Sequence, residues 1–264
     1  MKKYCLLILL IMLSLSSFAQ RKALVIGNKD YQDEGIPTSL NDAKLATDAL
    51  KAINYDVTQL ADLDYSAMNQ AIENFVKSLT TSDVAVFYYT GYTKQISGKN
   101  FLIPLSEKGA KASNEKLISI EDVLSKLSKA SYSFVFLENR SQKRSFFKKL
   151  CPKNKGLEAI ENLGNNQGFA MASTLGKDLT AQGERYSIFT YTLFTKITSD
   201  MYDFPDLMNN VRTEVESYTS EAQKPHWQSN LQAPFTFWEP TQALKFRFRL
   251  PSYRGLDGGG SYNF

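Results

Sequence analysis

The sequence predicts an α/β fold: a three-layer sandwich in which a mostly parallel central sheet is flanked by helices on both faces. Three observations carry that reading. Asp83 to Thr90 (D-V-A-V-F-Y-Y-T) is almost continuously β-branched and aromatic, the composition of a strand buried on both faces, as a parallel sheet requires. Short apolar runs of this kind alternate with stripes of apolar residues at helical spacing, the pattern of repeated strand–helix–strand units. The chain has 264 residues, 43% hydrophobic and 12% aromatic, with 14 Gly and 8 Pro. That is enough to bury one sizeable core, and it excludes disordered, collagen-like and coiled-coil chains.

The elements follow in order. Ala23-Leu24-Val25-Ile26-Gly27 is a short apolar run ending at glycine, a buried first strand. Leu40, Ala43, Ala46, Leu50 and Ile53 make a helical stripe, Tyr55 to Leu60 a second strand, and Tyr65, Met68, Ile72, Phe75 and Leu79 a second helix. After Asp83 to Thr90, the turn Ser97-Gly98-Lys99-Asn100 leads into Phe101 to Leu105 as a hairpin insertion. Ser119 and Asp122 form a weak capping box for a helix carrying Val123, Leu124 and Leu127. Ser133 to Leu137 and Gly168 to Ala172 are further core strands. Two amphipathic helices follow, with Phe189, Leu193, Phe194 and Ile197 on one and Leu207, Met208, Val211, Val215 and Tyr218 on the other. Phe235-Thr236-Phe237-Trp238 reads as the closing strand.

Residues 1–19 have the form of a secretory signal peptide. Lys2 and Lys3 precede an apolar run from Tyr4 to Leu15, and Ser17-Phe18-Ala19 supplies small residues at the minus-three and minus-one positions. The run is shorter than the ~20 apolar residues of a bilayer span, so cleavage after Ala19 is expected rather than anchoring, with no membrane span left afterwards. Cys5, inside the run, is poorly placed as a lipoprotein acceptor. The expected organisation is a leader (1–19), one domain (20–240) and a tail (241–264), in a protein exported to the periplasm or beyond. Only Cys151 then survives, so no internal disulfide forms and burial alone holds the fold.

The chain carries 31 Lys and Arg against 27 Asp and Glu, and losing Lys2 and Lys3 leaves 29 against 27, or +2. That is too mild for a nucleic-acid binder. Positive charge gathers in two places. Lys143, Arg144, Lys148, Lys149, Lys153 and Lys155 form a basic loop, and in the tail Lys245, Arg247 and Arg249 alternate with Phe246, Phe248 and Leu250. Each is a solvated surface on the plain reading. On the functional one, the loop is a protease-sensitive link and the tail a partner-facing edge strand or surface-binding arm.

Ligands of open parallel sheets sit at the carboxyl ends of the strands. The loop after Gly27 lacks the glycine spacing of a phosphate cradle, so nucleotide binding is not expected. Across the chain the pieces A-L-V-I-G-N-x-x-Y (Ala23 to Tyr31), L-N-D-A (Leu40 to Ala43), F-Y-Y-T-G-Y-T (Phe87 to Thr93), G-x-N-F-L-I-P (Gly98 to Pro104), S-x-F-T-x-x-L (Ser187 to Leu193) and Q-x-P-x-W (Gln223 to Trp227) occur in that order. In this the chain resembles the caspase, metacaspase and paracaspase clan of cysteine peptidases. The resemblance covers nearly the whole mature chain and implies a caspase-like sandwich that needs no cofactor.

It also implies where chemistry would sit. The clan's base is the His of G-H-G, where this chain has Gly91-Tyr92-Thr93; its nucleophile is the Cys of D-x-C, where this chain has Glu138-Asn139-Arg140. A thiolate attacks, and an imidazole lowers the thiol pKa and protonates the leaving amine. A phenol with pKa ~10 is no base at neutral pH, and a guanidinium with pKa above ~12 is neither nucleophile nor base. Both dyad positions are therefore expected to be silent.

The resemblance further implies that Asp42 and Glu138 match the acids that line a pocket for substrate Arg or Lys in basic-specific members. Two readings stay open: Arg140 fills that pocket from within, or it stands open for a basic peptide. Asp42 could equally support the start of its own helix. Cys151, in the basic loop, and His226, in the C-terminal loop Lys224-Pro225-His226-Trp227, are the only mature Cys and His and a fallback nucleophile and base if the dyad has moved. No G-x-S-x-G elbow exists for a serine hydrolase, and one Cys with one His makes a metal site improbable.

The expected function is thus a proteolytically inactive pseudopeptidase that binds a protein or peptide with basic residues. The alternatives are an active peptidase cutting after Arg or Lys through Cys151, and a structural component of an envelope assembly that makes contact through its tail.

Overall fold

β1 (Arg21–Gly27) forms the spine of the sheet, paired in parallel with β2 (Asp56–Ala61) on one side and β3 (Val84–Ile96) on the other. Beyond β3 lie β6 (Tyr132–Ser141) and β7 (Gln167–Met171), both parallel, and the edge strand β8 (His226–Ser229), antiparallel. The order is β2-β1-β3-β6-β7-β8, with the short β4 (Lys99–Leu102) and β5 (Ile118–Ser119) attached to the extension of β3. The computed structural model describes residues 19–32, 34–106, 116–141, 156–177, 179 and 184–238.

Among the described residues five helices cover the sheet: α1 (Ser39–Ala52), α2 (Tyr65–Ser78), α3 (Ile120–Leu127), α4 (Ile188–Ser199) and α5 (Phe204–Tyr218). Strand alternation sorts them into layers. Ala23, Val25, Val86, Tyr88, Phe134, Phe136 and Ala170 face α1, α4 and α5; Leu24, Ile26, Ala85, Phe87, Tyr89, Val135 and Phe169 face α2 and α3. Successive side chains of a strand point to opposite faces, so a strand buried on both faces must be apolar throughout. This confirms the expected three-layer α/β sandwich.

Local rules explain most of the boundaries. Asp64 and Asp203 cap α2 and α5 through Ala67 N–H and Asp206 N–H, at 2.9 and 3.0 Å, and Ser119 caps α3 through Asp122 N–H at 3.1 Å, as the sequence predicts. At the end of β1, Gly27 lets α1 come close: a Cβ there would lie 2.8 Å from Ala43 Cβ.

Two expectations need correction. Phe235 to Trp238 is not the closing strand. Its strand-like pairing is one isolated bridge, Asp203 to Thr236, and its rings serve as a plug. Phe134, Phe136, Phe204, Phe235 and Phe237 make a cluster with centroids 4.5–6.5 Å apart, and Arg21 Nη1 holds the Phe237 carbonyl at 2.6 Å. The closing strand is His226–Ser229, read from the sequence as loop. Its residues are half-buried at a sheet edge, so they carry no apolar signature. Likewise β3 does not stop at Thr90. It runs on to Ile96, pairing Thr93 with Leu102 and Ile96 with Lys99 around the Ser97-Gly98 turn.

Candidate functional site

The strand order reverses at β1 and β3, which places a crevice at the carboxyl ends of β1, β3 and β6. Positions 92 and 140, which the resemblance matches to the clan's base and nucleophile, meet there. β3 and β6 pair without interruption past the sheet core, with Thr90 opposite Glu138, Gly91 opposite Asn139 and Tyr92 opposite Arg140. Tyr92 is 4% exposed and Arg140 7%. Position 92 is occupied by a buried phenol and position 140 by a buried guanidinium, on one rung of the ladder.

Tyr92 belongs to a phenol cluster. Its ring centroid lies 4.6 Å from that of Tyr31, and its backbone N–H donates to Tyr31 Oη at 3.0 Å. Tyr31 and Tyr89 hydroxyls are 3.0 Å apart, both within reach of the Ile103 carbonyl at 2.8 and 2.9 Å. Burial pushes both phenols well above their ordinary pKa, so neither ionises near neutrality. Gly91 makes the cluster possible, because a Cβ there would sit 2.3 Å from Tyr89 Oη and 2.7 Å from Tyr31 Oη. Gly91→Ala is therefore expected to lose about 1–3 kcal/mol by overpacking, read as a lower urea midpoint with unchanged slope.

The acids lie against α4. Ser187, the N-cap residue of α4, donates its N–H to Asp42 Oδ1 at 2.7 Å and its hydroxyl to Oδ2 at 2.6 Å. Thr190, in the first turn, donates its hydroxyl to Glu138 Oε2 at 3.0 Å, with Tyr88 Oη 2.7 Å from Thr190 Oγ1. Both carboxyls are fully buried. They face the amino end of α4, where free N–H groups and the helix dipole favour negative charge.

Arg140 supplies the cation. Its Nη2 donates to Thr38 Oγ1 at 3.2 Å and to Ser187 Oγ at 3.1 Å, and those two hydroxyls are 3.0 Å apart. Guanidinium, hydroxyls and the Asp42 carboxylate form one connected buried network. Arg140 thus lies beside the acids, its guanidinium held by the two hydroxyls next to Asp42. Asp42 does sit in the first turn of α1, where an acid suits the helix dipole, and its two oxygens are bonded to Ser187 at the start of α4, 145 residues further on.

Compensation is incomplete. Glu138 Oε1 and Arg140 Nε have no hydrogen-bond partner. Burial pushes the Glu138 carboxyl up to about 8, the Asp42 charge adds to the rise, and Arg140 opposes it. Burial likewise pushes Asp42 up to about 6, against the pull of Ser187, Thr38 and Arg140.

His226 is not brought to this site. It lies on β8 opposite Met171, which in turn lies opposite Leu137. That is two strands across and three residues short of Arg140, roughly 14 Å away at the backbone. Burial lowers its pKa, and its Nε2 has no partner. Cys151, the basic loop and the tail from Glu239 lie outside the described residues. Among the described residues no cluster of three or more His, Cys, Asp or Glu is arranged to hold a metal, and no helix is long and apolar enough to cross a membrane.

Thr38, Ser187, Thr190 and Tyr88 were not read as site residues from the sequence. The available signal was the S-x-F-T pattern, whose hydroxyls fall at the N-cap and third positions of α4 and so face whatever anion sits there.

The comparisons with known proteins bear on the fold and the family. The human mucosa-associated lymphoid tissue lymphoma translocation protein 1 is 24% identical over 143 residues, 53% of this chain and 17% of that protein; its mouse homologue matches to the same extent. The chain thus spans about a sixth of the length of these curated relatives. The crystal structure of caspase-1 from Spodoptera frugiperda superposes with a TM-score of 0.61 at 12% identity, covering 84% of this chain and 90% of that one. That likeness shows the fold. Residues 20–236, most of its length, match the Caspase domain family, and this chain belongs to that family.

Proposed function

We propose that this chain is an exported member of the caspase-domain family that does not cut peptides and acts by binding a protein or peptide partner. The observation that carries the reading is the single rung Tyr92–Arg140: the positions where the clan has base and nucleophile are paired neighbours, both buried, and neither side chain can take or give the required proton. Arg140 is further committed to Thr38 and Ser187 beside the acids. A basic side chain of a partner therefore reaches Asp42 and Glu138 only by displacing Arg140.

Two measurements test this. Purified protein incubated with fluorogenic peptides ending in Arg or Lys, alongside a thiol-reactive probe, is expected to show no turnover; turnover that disappears in Cys151→Ala would overturn the reading in favour of a relocated nucleophile. In fluorescence anisotropy, an Arg-containing peptide is expected to bind Arg140→Met at least about tenfold more tightly than the unaltered chain, since the resident cation is gone. Equal affinity for both folded proteins would show that the acids do not form a cation site.

A further inference from the structure

The first strand begins one residue after the expected leader junction, and that residue is already fixed in the sheet. The Gln20 carbonyl accepts from Val84 N–H at 2.9 Å, and the Gln20 backbone nitrogen donates to Asp83 Oδ1 at 3.0 Å. Asp83 Oδ2 accepts from Lys22 Nζ and Thr80 N–H, each at 2.9 Å. The Asp83 side chain is 1% exposed. A buried carboxylate thus holds the nitrogen atom that an Ala19–Gln20 cut would set free.

In the uncut chain that nitrogen is a neutral amide with one proton. Hydrolysis by a leader peptidase adds water across the Ala19–Gln20 bond: Ala19 departs as a carboxylate, and the Gln20 nitrogen takes up a proton to become an ammonium. We propose that Asp83 is a receptor for the new amino terminus, so that removal of residues 1–19 creates an ion pair, Gln20 α-ammonium with Asp83, that locks β1 onto β3. An ammonium donates three hydrogen bonds where the amide gave one, and a charge-assisted bond is stronger than a neutral one.

The capture has a chemical consequence. A free amino-terminal glutamine cyclises when its neutral amine attacks its own side-chain amide, forming a lactam and expelling ammonia. Holding the amine protonated against Asp83 depletes the nucleophile, so Gln20 cyclises more slowly while the fold is intact.

The test uses the full chain, expressed with residues 1–19 in an exporting bacterium and purified after processing. Intact mass is expected to give a chain starting at uncyclised Gln20. Its α-amine, titrated by acylation rate, should ionise above about 9 instead of the ordinary ~8, leaving it about tenfold less reactive at neutral pH. Asp83→Asn should return the amine to the ordinary range and permit cyclisation, while Lys22→Met, which leaves the carboxylate in place, keeps it raised. If Asp83→Asn does not fold, a chain retaining Ala19 serves instead, and its displaced amine should titrate normally. A terminus elsewhere, a lactam in the folded protein, or an unshifted amine overturns the proposal. None of these readouts depends on peptidase activity or on a bound partner, so this inference and the non-proteolytic reading fail separately.

Discussion

Replacing Arg140 by Met is expected to destabilise the protein by about 3–5 kcal/mol at pH 8, because it leaves two fully buried carboxyls without their cation. The loss should be smaller near pH 5, where both acids are largely protonated. The sign follows from linkage. Glu138 is pushed up to about 8 in the fold and Asp42 up to about 6, against ~4 for such groups in an unfolded chain. Between those values the folded state binds more protons than the unfolded one, so this network loses stability as pH rises. Removing Arg140 raises both acids further and steepens that slope. Adding Glu138→Gln to Arg140→Met should recover a substantial part of the loss and flatten the slope, as a double-mutant cycle on urea midpoints at pH 5 and pH 8 would show. Additive losses at both pH values would mean that Arg140 is not the counterion of these acids.

The second large effect concerns restoration of the dyad. Tyr92→His combined with Arg140→Cys puts both chemical groups of the clan back at the matching positions, yet it is expected to yield no turnover of Arg- or Lys-terminated fluorogenic peptides. The imidazole would enter the space packed by Tyr31, Ile36 and Ile103, where burial disfavours its charged form. The cysteine would remove the cation from the acids, so the same variant should also lose several kcal/mol of stability. Adding Glu138→Gln should improve stability and leave the protein inactive. Turnover by the double variant, lost again when position 140 is made serine, would show that only the chemistry had been replaced and that the cleft is intact.

Legibility in the sequence followed burial. β1, β3, β6 and β7 were visible because a strand packed on both faces is apolar at every position, and helices α1, α2, α4 and α5 because one face of each is apolar at helical spacing. Where burial is partial the signal failed. β8 carries His226, Trp227, Gln228 and Ser229, all half-buried, and looked like a loop. The plug Phe235 to Trp238 is apolar for packing alone and looked like a strand. The extension of β3 past Thr90 was hidden because hairpin pairing, not burial, continues it.

The site divided in the same way. That positions 92 and 140 hold a phenol and a guanidinium is a matter of covalent chemistry, and the chain alone determined that these groups lack the proton-transfer properties of imidazole and thiolate. That the two lie on one rung, that Arg140 lies beside the acids, and that Asp42 clasps Ser187 were decided by tertiary structure. Each depends on hydrogen bonds between residues tens to more than a hundred positions apart. Local pattern cannot encode such pairings, because a hydroxyl or carboxyl satisfies its bonds with whatever partner the packed layers bring within 3 Å.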